Sequence, residues 1–229
     1  VQQQFVVGAD GRYYVANTTT YYARTFAKMS QNCTATMIGR STALTAAHCV
    51  YQQAVGWIAT DSISFGANNT TTSYSTITTP FGSYVFDSVT FPSGWFGDNW
   101  EWDFAVLEFS PTRYPGDTLG WMGTVESKTG YQYILGYPMD GLTPWHTPLR
   151  PWSQWGHGDV YGASVGFRYE HTIDMASSDS EACIFNASLK CTGINSTQKI
   201  TYSPARVWNE ARRWDAATHG FFDTYGNWP

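Results

Sequence analysis

Three short segments hold side chains whose types suit nucleophilic chemistry. Ser180 lies in "DMASSDSEACIF" (174–185), His48 in "LTAAHCVY" (44–51) and Asp103 in "EWDFAVLEF" (101–109). A hydroxyl, an imidazole and a carboxylate brought together can attack a carbonyl: the ring takes the hydroxyl proton and the carboxylate orients the ring. Taken singly, each has a plainer reading. A lone histidine is more often structural or solvated, and a carboxylate ahead of an apolar run often opens a strand. The chemistry depends on elements that carry three distant segments to one place.

Those elements read as β-strands. Short alternating or β-branched runs recur between turn residues: "RYYVA" (12–16), "TATMIG" (34–39), "SYVFDSVTF" (83–91), "FAVLEF" (104–109), "GYQYILGYP" (130–138) and "CTGI" (191–194). Their spacing predicts antiparallel strands packed as barrels or a sandwich. "SPTRYPGDTLG" (110–120), with two prolines and two glycines, suits a crossing between two halves. One helix is expected, over "SPARVWNEARRW" (203–214). There Ser203 can cap, Pro204 suits the first helical position, and Val207, Ala211 and Trp214 share a face. The tail after it shows no clear period.

Composition narrows the class. Only 14% of the 229 residues are charged while 17% are aromatic, a balance that favours a secreted all-β protein. A net charge of -5 argues against nucleic acid or an anionic membrane as partner. No apolar run approaches the roughly 20 residues that span a bilayer, and Val1 is not followed by a leader pattern, as in a mature chain. The four cysteines fall in two close pairs, Cys33 with Cys49 and Cys183 with Cys191. They suit structural bridges, free thiols or metal ligands. We read two local disulfides, since thiol catalysis wants one partnered cysteine and zinc wants tighter clusters. Sequons at Asn17, Asn32, Asn68, Asn69, Asn186 and Asn195 fit an oxidising secretory route and an extracellular location. His146, His157, His171 and His219 are scattered, so no metal site and no cofactor is expected.

"T-A-A-H-C" around His48 and "D-F-A-V-L" from Asp103 resemble the histidine and aspartate motifs of trypsin-like serine proteases. The resemblance narrows to the glutamyl endopeptidase-like branch through "VVGADGRYYVANTTTYY" (6–22), "CTATMIG" (33–39), "PFGS" (80–83), "FPSGW" (91–95) and "LGYPMDG" (135–141). It covers roughly residues 6 to 214. It implies an all-β, chymotrypsin-like fold of two antiparallel six-stranded β-barrels with a C-terminal α-helix. Residues 1–110 would form the barrel carrying His48 and Asp103. Residues 111–229 would form the barrel carrying Ser180, ending in helix and tail. The implied activity is a monomeric endopeptidase acting on protein or peptide through His48, Asp103 and Ser180.

In that branch the nucleophile motif is similar to "D-T-x-G-G-x-S-G-S-P-V-F-N", and "D-M-A-S-S-D-S-E-A-C-I-F-N" (174–186) aligns without a gap. Ser180 falls on the nucleophile, and the amides of Ser178 and Ser180 would form the oxyanion hole. Ser177 and Ser178 replace two glycines, at about 1–3 kcal/mol if the backbone angles are kept. Glu181 replaces a third. Its carboxylate would oppose a developing oxyanion by roughly 3 kcal/mol unless it turns into solvent. Cys183 stands where the family has proline, and its bridge to Cys191 would re-brace the loop.

The resemblance also assigns the substrate pocket. Met175 and Asn195, with Ser196 and Thr197 in "GINST", correspond to the threonine and the "V-H-T" segment of glutamate-preferring members, so glutamate preference is not expected. Asp174 has the spacing of an aspartate that recognises Lys or Arg. Asp179 is placed either to pair with a new amino terminus or to bond within its loop. Two other classes remain: a catalytically impaired homologue that binds a partner in the same cleft, and a sugar-binding module using tryptophans of "GWFGDNWEW" (94–102) and "PWSQWGHG" (151–158).

Overall fold

The computed structural model describes residues 11–31, 33–58, 62–69, 77–96, 99–110, 112–126, 131–137, 152–154, 168–174, 181–202 and 205–225. The first strands are β1 (Tyr13–Tyr14), β2 (Phe26–Met29), β3 (Thr34–Met37), β4 (Thr42–Thr45), β5 (Tyr51–Gln52) and β6 (Gly56–Trp57). They are followed by β7 (Ile63–Phe65), β8 (Asn68–Asn69), β9 (Ile77–Thr78), β10 (Ser83–Tyr84), β11 (Ser88–Thr90) and β12 (Ala105–Glu108). A short helix, α1 (Pro115–Leu119), leads to β13 (Gln132–Gly136), β14 (Trp152–Gln154), β15 (Arg168–His171), β16 (Cys183–Asn186), β17 (Cys191–Tyr202) and β18 (Ala205–Arg213). Helix α2 (Ala216–Tyr225) comes last.

Among the described residues the strands make two seven-stranded antiparallel sheets and two small hairpins. The first sheet runs β10-β7-β2-β3-β4-β12-β11, and the second β1-β14-β13-β16-β17-β18-β15. The run expected over 83–91 is two strands, β10 and β11, in opposite edges of the first sheet. Strands β3, β4 and β12 are buried at nearly every position, threonines included, because both of their faces are covered. Ala35, Met37, Ala43, Ala105 and Leu107 pack inside the first sheet. Leu44, Phe104 and Val106 face the other way, into a cluster with Leu135, Phe185, Ile194, Trp214 and Phe222. Side chains alternate along a strand, so one short run feeds two cores. The second cluster joins the two sheets.

The connection after β12 holds α1, where Gly116 donates its N–H to the Arg40 carbonyl at 2.9 Å. A Cβ there would sit 2.7 Å from that carbonyl oxygen, so only glycine allows the approach.

The expected helix over 203–214 is corrected by the structure. Residues 205–213 form β18, paired with β17 from Tyr202↔Ala205 to Gly193↔Arg213 and with β15 on its other edge. Val207 and Ala211 are four residues apart, a spacing that shares a face in a helix and also in a strand. The long ladder with β17 decides between them. The carboxy-terminal helix instead starts past Asp215, whose Oδ1 accepts from the Thr218 N–H at 2.9 Å as a cap. It buries Phe222 edge-on against Trp214, with ring centroids 5.1 Å apart.

Candidate active site

His48 sits in a 3-10 turn, Ala47–Cys49, that begins as β4 ends. The Cys33–Cys49 disulfide joins this turn to the start of β3. Thr45 Oγ1 donates to the Thr34 carbonyl at 2.9 Å, and Gln52 Nε2 donates to the His48 carbonyl at 3.1 Å. The histidine backbone is thus tied on both sides. Asp103 closes a second 3-10 turn, Trp100–Trp102, just ahead of β12. Because β12 pairs with β4 in the register Ala105↔Thr45, two residues back brings Asp103 beside the histidine turn.

The carboxylate of Asp103 has no solvent exposure and accepts three hydrogen bonds. Its Oδ1 takes the His48 backbone N–H at 3.0 Å. Its Oδ2 takes the His48 Nδ1–H at 2.9 Å and the Ser196 hydroxyl at 2.7 Å. Ser196 reaches it through a backbone irregularity. Asn195 pairs with Ala211 and Thr197 with Glu210, which leaves Ser196 as the extra residue of a bulge in β17. A bulge re-aims a side chain, here from the second sheet onto Asp103. Ser196, expected among the substrate-binding residues, therefore touches the aspartate.

The other ring nitrogen, Nε2, lies 3.1 Å from Oε1 of Glu181. Glu181 is buried. It turns into the site rather than to solvent, and its carboxylate lies within 4.8 Å of the Cys33 and Cys49 sulfurs. Burial works against a charge on His48, but the two carboxylates outweigh it and lift the ring's pKa to about 10. Across the first sheet, burial pulls the Lys28 amine down to about 8, partly offset by the charge of Glu181.

Beside the ring lies a cleft of about 160 Å³ lined by His48, Gln52, Ala54, Trp95 and Trp100. Trp100 tilts over the imidazole at 5.7 Å and meets buried Trp95 edge-on. Of the tryptophans considered as a sugar platform, Trp95 is buried with Nε1 on the Tyr51 carbonyl, and Trp102 packs against both cores. Trp57 and Phe96 are exposed, within an aromatic cluster that includes Tyr51 and Phe91.

The remaining expected site residues divide. Met175, Ser177, Ser178, Asp179 and Ser180 lie outside the described residues. Asp174 Oδ2 accepts from the Gly11 N–H at 2.8 Å. Asn195 is buried, with Oδ1 2.9 Å from His171 Nε2. Thr197 lies in β17, and its side chain is outside the described residues. Cys183 and Cys191 are joined by a disulfide between β16 and β17. Among the sequons, Asn17 is exposed, while Asn68 is buried and accepts from Tyr14 Oη. Asn186 accepts two backbone N–H groups in the β16–β17 turn, and Asn32 falls outside the described residues. Among the described residues, one grouping of metal-ligand types occurs, Cys33, Cys49 and Glu181, and its sulfurs are committed to a disulfide.

Besides the Ser196 contact with Asp103, two features were not found by sequence reasoning: the Glu181 contact with Nε2, and the pairing of His171 with Asn195. The first had a visible sign, a carboxylate where the resemblance calls for glycine. The second had none, since β15 is brought beside that end of β17 only by β18 lying between them.

The family model described as Trypsin matches residues 10–132. A glutamyl endopeptidase of Bacillus licheniformis is 30% identical over 233 residues, covering 97% of this chain and 68% of that protein. An extracellular metalloprotease of Bacillus subtilis is 28% identical over 158 residues, 61% of this chain and 47% of that protein. Among solved structures, a Glu endopeptidase in complex with MPD superposes with a TM-score of 0.79 at 27% identity, covering 96% of this chain and 98% of that one. The protease Anisep from Arthrobacter nicotinovorans gives a TM-score of 0.64 at 16% identity, over 84% and 87% of the two chains, a likeness of fold.

Proposed function

Since the chain belongs to the trypsin family of serine proteases and has their chymotrypsin-like fold, we propose that it is a secreted endopeptidase using His48, Asp103 and Ser180. The observation that carries this reading is the His48–Asp103 pair, held by two direct hydrogen bonds and braced by Ser196. In the reaction, Ser180 Oγ attacks the peptide carbonyl while Nε2 of His48 takes its proton and later returns it to the leaving amine. Asp103 fixes the Nδ1–H tautomer and balances the imidazolium. The amides of Ser178 and Ser180 are assigned to the oxyanion. Each such donor lowers the barrier by about 3–4 kcal/mol.

The names of the glutamyl endopeptidase and the Glu endopeptidase point to cleavage beside glutamate, but the residues here do not support that preference. Asn195 is neutral and engaged with His171, and Met175 offers no hydroxyl. Asp174 is occupied in part by the Gly11 amide, which weighs against a Lys- or Arg-binding pocket. We infer a monomer that cuts protein or peptide substrates outside the cell. Two disulfides and an exposed sequon at Asn17 support that location.

One observation favours a second reading, a cleft that binds without cutting: the Nε2 of His48 is already engaged by Glu181. A peptide library digested at pH 9 to 10 and read by mass spectrometry separates the two. Cleavage lost in Ser180→Ala supports the endopeptidase; peptides retained but never cut support the binding protein.

A further inference from the structure

A neutral His48 donating Nδ1–H to Asp103 has a bare lone pair at Nε2. That lone pair faces Oε1 of Glu181 at 3.1 Å, and two acceptors do not sit at that distance without a proton between them. Either the ring is an imidazolium donating from both nitrogens, or Glu181 carries the proton and donates it to Nε2. In both states the lone pair needed by a serine hydroxyl is taken. Lys28, whose charge interacts with Glu181, favours the ionised carboxylate and so the imidazolium.

We propose that Glu181 is a positioning residue that keeps His48 in its non-basic form, so that the active site is latent near neutral pH. This rests on the endopeptidase reading and names how that site is held in check. The contact is built rather than incidental: Glu181 has 4% exposure, and it lies against the Cys33–Cys49 bridge that fixes the histidine turn. Among the described residues, the charged groups that act on the ring and its latch are Asp103, Glu181 and Lys28. Ser196 adds an uncharged hydroxyl and Trp100 an uncharged ring. Alkali opens the latch by removing the proton between Nε2 and Oε1. Lys28 has already discharged in part by then, since its amine titrates near 8.

With the ring at about 10, roughly one molecule in a thousand holds a free base at pH 7. Glu181→Gln keeps the shape and removes the charge. If it lowers the ring by about two units, hydrolysis at pH 7 rises on the order of 100-fold, and the two pH profiles converge above pH 10. The direct test follows His48 ring nitrogens by NMR from pH 5 to 11, in the native chain and in Glu181→Gln. A native ring titrating near 10 that falls by at least one unit in the variant supports the latch. A native ring titrating at about 6.5, or a variant no more active at pH 7 than the native chain while both cleave, overturns it. Should Glu181→Gln not fold, Glu181→Gly and the native titration carry the same decision. If the ring shifts as expected yet neither chain cleaves at any pH, the latch stands and the endopeptidase reading fails.

Discussion

Ser196→Ala separates a brace on Asp103 from a contact with substrate. The hydroxyl donates at 2.7 Å to a carboxylate with no solvent exposure, so water does not replace it. A hydrogen bond to a charged group is worth about 1.5–3 kcal/mol, and losing one at a buried acceptor sits within that range. The expected loss of unfolding free energy is therefore about 2 kcal/mol, measured by urea denaturation with tryptophan fluorescence. Asp103 would also be less well satisfied as an anion and would hold the imidazolium proton more tightly. Part of those 2 kcal/mol passes to the ring, moving the alkaline activity limb up by about one pH unit. On a cleaved peptide, kcat falls and KM stays. An unfolding free energy unchanged within about 0.5 kcal/mol, together with a raised KM at constant kcat, would refute the brace and return Ser196 to the substrate pocket.

Other expectations follow from the same geometry. Replacing Cys33 and Cys49 together by alanine costs about 3 kcal/mol in denaturant, and lowers kcat as well because the bridge anchors the histidine turn. Phe222→Ala empties a site packed against Phe104 and Trp214 and costs about 3–5 kcal/mol by thermal or chemical unfolding. Arg40→Ala leaves the unfolding midpoint unchanged, because its pairing with Asp117 is on the surface at 45% and 50% exposure. His48 binds a proton in the folded chain from about pH 6.5 to about 10 that the unfolded chain has released. Its stabilising contribution is complete below that window and lost as pH rises through it. Lys28 acts oppositely above about pH 8, since its depressed amine sheds a buried charge. A Lys28→Met chain should therefore show the steeper alkaline loss of stability.

The strand that follows the aspartate was legible, since "AVLE" is a short apolar run between turn residues, and "TATM" is likewise a strand where expected. Strand β4, which ends at the histidine turn, was not among the runs read, because "TALT" runs straight into the "T-A-A-H-C" motif; His48 was found by that motif, and it does meet Asp103. The helix over 203–214 was misread for a reason internal to the pattern. Its four-residue spacing suits a helix and a strand alike, and only a long pairing partner, β17, separates them. The true last helix was hidden by a glycine at 220 and a weak apolar stripe, although Asp215 and Thr218 were there to cap it. Within the site, residues in regular register could be placed from sequence, whereas two that depend on local irregularity could not. Ser196 is aimed by a bulge, and Glu181 stands where the family's glycine has no side chain to aim.

The proposed hydrolysis requires Ser180 to be a nucleophile activated by His48. The direct measurement is fluorophosphonate labelling at pH 9.5, followed by mass spectrometry of the peptide spanning residues 174–186. One adduct on Ser180 is expected in the native chain, with little or none in His48→Ala and a slower adduct at pH 7 than at pH 9.5. A native chain unlabelled at every pH, or labelled equally well without the histidine, contradicts it.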